Sequence, residues 1–186
     1  MSEIVEVPAL DATPENTGDY GLFIGTEVHK SGLSIPYYKG VVEEGANLPF
    51  QSRGGTVIRT ARIHPRSPDN IWMERHMHMT QLFLGLGDAP LAMLMGKPNH
   101  QQRRDLPDVE QIRAFKFPPG HGIMLHIGTW HDFPLAIGRP VTVLTMNSPE
   151  VLEALASQKT PSEMNRGDIY KINFEHHTGK ILRVGF

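Results

Sequence analysis

Residues 72–81 read Trp-Met-Glu-Arg-His-Met-His-Met-Thr-Gln, and a strongly apolar run, 82–87, follows. Side chains of a strand alternate between faces, so an unbroken strand here points Glu74, His76 and His78 to one side and Arg75, Met77 and Met79 to the other. A carboxylate and two imidazoles in a row can hold a metal ion or move a proton. No other stretch concentrates as much chemistry. His126 closes a second strand-like run, Gly122–His126, and His76, His78, Gln81 and His126 together form the expected ligand set. Neutral imidazoles suit a divalent transition metal such as nickel, zinc, iron or manganese. Gln81 is a weak, uncharged oxygen donor, which leaves a metal electrophilic and suited to Lewis-acid work. Only two residues separate His78 from Gln81, so a bulge near Thr80 is needed to turn Gln81 the same way.

Four more residues complete the candidate site. Arg62 is the expected clamp for a substrate carboxylate, because a planar guanidinium matches that group in bidentate fashion. Glu74 is either a buried salt-bridge partner near Arg62 or a general base. His131 is a candidate acid or base, and Trp130 is a substrate contact or barrel packing. His176-His177 stand beside a turn and are expected to be exposed.

These groups need a scaffold that joins distant segments. The chain has 186 residues, enough for one domain with a sizeable core. Its net charge of -2 and interspersed signs argue against nucleic acid as a partner. It contains no cysteine, which removes disulfides, thiolate metal sites and thiol nucleophiles and suits a reducing cytoplasm. No apolar run approaches the ~20 residues of a membrane helix, and Met1–Glu6 lacks the pattern of a signal peptide. The expectation is a cytoplasmic protein with no membrane partner.

Short β-prone runs dominate, punctuated by turn signals such as Ser31-Gly32, Lys39-Gly40, Glu44-Gly45 and Gly54-Gly55. Residues 1–18 read as a loosely structured arm. Strands are expected at 57–63, 71–79, 81–86, 91–95, 112–117, 122–126 and 141–146. Residues 149–158 form the one convincing helix, with Ser148 as N-cap and Pro149 in the first turn. Residues 168–174 and 181–184 read as a tail hairpin. The pattern predicts an all-β fold, a double-stranded β-helix of the cupin or jelly-roll type, with the barrel at 19–147 and a helix-and-hairpin extension at 148–186. Such a barrel gathers side chains from strands remote in sequence. Pairing into a homodimer through edge strands is expected.

Several segments resemble the ureidoglycolate lyase family, in the right order: Asp19-Tyr20-Gly21; Arg62-Ile63-His64-Pro65; Glu74-Arg75-His76 with Thr80-Gln81-Leu82-Phe83; Lys97-Pro98; Pro107-Asp108-Val109 with Ile112-Arg113-Ala114-Phe115; and, most specific, Gly122-Ile123-Met124-Leu125-His126-Ile127-Gly128-Thr129-Trp130-His131. The likeness spans roughly residues 19–147. His78 has no histidine counterpart, the histidine that usually follows His131 is absent, and residues 149–186 are not placed. The resemblance implies a cupin-type barrel and a metal-assisted lyase that converts ureidoglycolate, or a closely related small α-hydroxy or α-amino acid, to glyoxylate and urea. Two alternatives stand beside it: another cupin enzyme, an isomerase or a carbon–nitrogen or carbon–oxygen lyase acting on a different small carboxylate, and a non-catalytic barrel that binds a small acid.

Overall fold

The computed structural model describes residues 2–28, 37 and 40–186; the turn expected at Ser31-Gly32 lies outside them, as does Lys39. In chain order come β1 (Glu3–Asp11), a short capped helix α1 (Pro14–Thr17), β2 (Gly21–Ile24), β3 (Val57–Ile63), β4 (Asp69–Asn70), β5 (Trp72–Arg75), β6 (Gln81–Leu86) and β7 (Leu91–Gly96). Then follow β8 (Ile112–Phe117), β9 (Gly122–Leu125), β10 (Trp130–His131), β11 (Leu135–Ala136) and β12 (Val141–Asn147). The tail holds α2 (Pro149–Ala156), β13 (Met164–Arg166), β14 (Ile169–Asn173), α3 (Phe174–Thr178) and β15 (Lys180–Gly185).

The fold is an all-β barrel of two curled sheets. The larger runs β13-β14-β5-β10-β7-β8-β1-β15-β4, with β11 paired to β7; the smaller runs β2-β9-β6-β12-β3. Strand β7 shows why its sequence is apolar at every position. Leu91, Met93 and Met95 fill the core between the sheets with Phe83, Phe115, Phe117, Ile123 and Val143. Ala92 and Leu94 pack on the opposite face with Met73, Ile112, Trp130, Ile172 and Phe174. Each large apolar side chain so buried contributes about 1.5–3 kcal/mol relative to exposure, so both faces of the large sheet carry weight. Among the described residues, no helix is long and apolar enough to cross a membrane.

Three expectations need correction. The segment 1–18 is not a loose arm: β1 runs parallel to β15 over Glu3–Pro8 and then parallel to β8 over Ala9–Asp11. Val5, Val7 and Ala9 turn inward against the second core, and Pro8 falls where the strand changes partner, a place that tolerates a missing N–H. The strand expected over 71–79 stops at Arg75, because the Asp168 carboxylate accepts hydrogen bonds from the backbone N–H groups of Met77 and His78 and turns the chain. The tail hairpin is β13 with β14, not 168–174 with 181–184. Helix α3, capped by Asn173 and ended by Gly179 at φ 68, carries the chain from β14 across to β15 beside β1. Helix α2 begins as read, with Ser148 Oγ accepting from the Val151 N–H.

Candidate active site

Strand β5 stands between β10 and β14, and Glu74 is directly opposite His131 on one side and Lys171 on the other. Alternation then sorts the neighbours. Met73 belongs to the second core, and Arg75 lies over the rings of Trp130 and Tyr170, at 4.5 and 5.0 Å. On the other face, Glu74 and His76 meet His131, whose ring lies 6.1 Å from that of the core residue Phe83. All three are buried.

Glu74 Oε1 is 3.8 Å from His76 Nε2 and 3.5 Å from His131 Nε2, and the two imidazole centroids are 5.3 Å apart. Glu74 Oε2 accepts from Lys171 Nζ at 2.7 Å. The other nitrogen of each ring is spoken for: His76 Nδ1 lies 2.7 Å from the Asp168 carbonyl oxygen, and His131 Nδ1 lies 3.0 Å from that of Thr129. A carbonyl oxygen only accepts, so both Nδ1 atoms carry a proton, and in the neutral rings each Nε2 presents a lone pair. Both Nε2 atoms are buried without a hydrogen-bond partner.

The electrostatics follow from this packing. Burial pushes the Glu74 carboxyl up, but the Lys171 ammonium, His131 and His76 together outweigh it and hold the group well below its ordinary value of 4.5. Burial lowers the His76 pKa, His131 adds to that, and Glu74 only partly opposes it, so His76 is neutral. The His76 Nε2 lone pair and a carboxylate oxygen therefore face each other, and His131 Nε2 points to the same oxygen from 3.5 Å. A cation relieves that arrangement. Imidazoles that bind metals characteristically give their other N–H to a carbonyl, as both do here. One ligand atom from each of Glu74, His76 and His131 falls within 4.8 Å of the others. The residues fit a divalent cation.

The expected ligand set is thus brought together only in part. His76 lies in the cluster. Gln81 is buried on the same face of β6 as Phe83, and its Oε1 has no partner. No bulge at Thr80 is required, because the break at 76–80 re-aims the chain before β6 begins. His78 leaves the row when the strand ends: its Nδ1 lies 2.9 Å from Asp168 Oδ1, Arg53 Nη1 stands 3.4 Å from its Nε2, and 46% of its side chain is exposed. His126 is half-buried with Nε2 3.1 Å from the Gly18 carbonyl oxygen, and the ligand atoms that converge are those of Glu74, His76 and His131. The second imidazole from the remote segment is His131, reached because the chain turns through Gly128 at φ 81 into β10.

Arg62 is exposed and donates to Thr142 Oγ1 at 2.8 Å, so Glu74 has Lys171 rather than Arg62 as its basic partner. Trp130 is fully buried on the opposite face of the sheet from Glu74 and donates through Nε1 to Asn99 Oδ1. His176 and His177 are exposed as expected, and with Glu163 they make a second group of three within ligand distance.

Sequence reasoning missed Lys171 and Asp168. A signal existed for the first: Lys171 shares a strand face with Ile169, so a charged residue sits on an apolar face and needs a counter-charge. No local pattern marks Asp168, whose role depends on the remote residues 76–78.

A family model described as ureidoglycolate lyase matches residues 46–166. The match continues past residue 147 and includes α2 and β13, which had no counterpart by motif. No curated protein matches the chain. Among solved structures, that of a dTDP sugar isomerase from Desulfovibrio desulfuricans G20 is similar at 13% identity, with a TM-score of 0.43 over 82% of each chain.

Proposed function

The chain belongs to the ureidoglycolate lyase family and is an enzyme of the lyase type, and we propose that it cleaves ureidoglycolate to glyoxylate and urea at Glu74, His76 and His131. The observation that carries this reading is the opposed pair His131 Nε2 and Glu74 Oε1, 3.5 Å apart and shut away from water.

Ureidoglycolate carries a hydroxyl and a urea nitrogen on one carbon, next to a carboxylate. Cleavage moves the hydroxyl proton to the departing nitrogen, while an oxygen lone pair forms the aldehyde C=O and the C–N electron pair leaves with urea. His131 Nε2 takes the hydroxyl proton and returns it to the urea nitrogen. The Thr129 carbonyl fixes the tautomer this requires, and Glu74 Oε1 steadies the imidazolium that forms in between. Glu74 is held too acidic to be the base; it acts as a fixed negative charge. A divalent cation would be held by Glu74, His76 and His131 and would supply Lewis acidity toward the hydroxyl oxygen; proton carriage by His131 is that of the site without the cation. Burial of the cluster keeps water from competing for the proton.

The test is to incubate the protein, as purified and after loading with nickel, zinc, iron or manganese, with ureidoglycolate and to follow glyoxylate and urea. Equal amounts of both products from wild type, and none from His131→Ala at unchanged melting temperature, are the expected results. No product in any metal state, or undiminished turnover by His131→Ala, would overturn the reading.

A further inference from the structure

A substrate carboxylate needs a cation, and Arg62 is spent on the solvent face of β3. Another cation reaches the cluster from a cavity. Lys171 Nζ contacts Glu74 Oε2 at 2.7 Å, yet its side chain remains 20% exposed, whereas those of Glu74, His76 and His131 are 7%, 2% and 1% exposed. Lys171 is therefore the member of the group that meets open space. That space is a cavity of about 390 Å³ between β5, β14 and the segment after α2, with Trp72, Leu155, Pro161 and Met164 among its walls. Lys159 also lines it, and none of the described residues that line it is acidic. The size is that of a small-molecule site and ample for a compound of this kind.

An ammonium has three N–H donors; Glu74 engages one, leaving two for a ligand. The cavity thus offers what a small carboxylate needs: a buried-edge cation that is already positioned, a second lysine to attract the anion, and a mixed lining of apolar side chains with Gln158, Thr160 and Ser162 for the rest of the molecule. Register places the cavity on the face of β5 that carries Glu74, with Lys171 paired to Glu74 on the side away from His131. Lys171 lies beyond residue 166, where the family match ends.

We propose that this cavity is the carboxylate subsite and that Lys171 anchors the carboxylate of small α-hydroxy acids; the assignment rests on the lyase reading of Glu74 and His131. Strand β14 then sets which substrates are accepted.

Trp72 in the wall provides a readout that does not depend on turnover. Titration of the full-length protein with glycolate and with its uncharged amide, followed by tryptophan fluorescence and calorimetry, compares an acid with its neutral twin. Wild type should prefer the acid by about tenfold to a hundredfold, the range of a charge-assisted hydrogen bond. Lys171→Met should lose that preference and Lys171→Arg should keep most of it, while Trp72→Phe should lose the fluorescence change but retain the calorimetric signal. Leu155→Trp, which leaves the Lys171–Glu74 pair intact and fills the cavity, should weaken both ligands and serves if Lys171→Met does not fold. No acid preference in wild type, an undiminished preference in Lys171→Met, or full affinity in Leu155→Trp would overturn the proposal. Glycolate preference without glyoxylate release would leave the subsite standing and remove the lyase reading; glyoxylate release with the preference surviving Lys171→Met would do the reverse.

Discussion

His131 and Glu74 are directly opposed residues of adjacent antiparallel strands, separated in sequence by 56 intervening residues, with Nε2 3.5 Å from Oε1. Strand pairing, rather than a flexible loop, sets that distance. On its other side Glu74 is opposed by Lys171, so one register line across three strands reads imidazole, carboxylate, ammonium.

The two remote histidines should therefore behave differently on mutation. His131→Ala should lower kcat/KM by at least about a hundredfold, the lower bound for a positioned proton carrier. His126→Ala should stay within about threefold of wild type, because its ring is turned to the Gly18 carbonyl. Steady-state kinetics on ureidoglycolate measures both, and a large loss in His126→Ala with His131→Ala active would reverse the roles.

Glu74→Gln keeps the shape of the side chain and removes its charge. The Lys171 ammonium then loses its counter-charge in a mostly buried position. A fall in kcat/KM of about a hundredfold or more is expected, with weaker retention of any bound divalent metal. Kinetics and elemental analysis of the purified variant check the two effects separately.

Asp168 Oδ1 accepts from two backbone N–H groups and from His78 Nδ1, and the residue is buried. Asp168→Ala leaves the two backbone donors without that acceptor and should cost about 3 kcal/mol or more. That corresponds to a drop in Tm of about 6–12 °C in a domain of this size. His78→Ala, removing only the half-exposed ring, should cost less than about 1 kcal/mol. Equal melting shifts in the two variants would show that the backbone contacts contribute little.

The Arg183 guanidinium, through a bidentate contact at 2.6 and 3.0 Å, holds the Asp69 carboxyl below its ordinary value of 3.8. A folded-state pKa that is depressed stabilises above the unfolded value, and the gain is lost as pH falls toward the folded one. Because the pair is about one-third exposed, Asp69→Asn should lower Tm by only about 1–3 °C at neutral pH. The gap to wild type should close as the pH is taken below 3.8, and thermal melts from pH 7 to 3 would show it. A gap that stays constant across that range would assign the loss to packing rather than charge.

Much of the barrel was legible from alternation. The strand at 141–147 buries every second residue, 57–63 does so more weakly through Val57, Ala61 and Ile63, and 81–86 and 112–117, buried at most positions, are marked instead by their apolar content. Strand β1 hid because its inward residues are the small Val5, Val7 and Ala9, with Pro8 among them. The site was half legible. Glu74 and His76 stood out because His76 follows directly on the end of β5, where the alternation still holds. His78 was misplaced because alternation holds only while the strand lasts, and what ends it is Asp168, 90 residues away. His131 was separated from His126 by a turn that reverses which ring faces inward, and short-range spacing carries no record of that.

The pairing of β1 with β15 has a consequence for how the molecule comes into being. A ribosome delivers Glu3–Pro8 long before Lys180–Gly185, so β1 keeps one bare edge until β15 has been made. Closing the large sheet there waits on a pairing between segments far apart in sequence, and a chain lacking β15 would present that edge to its neighbours.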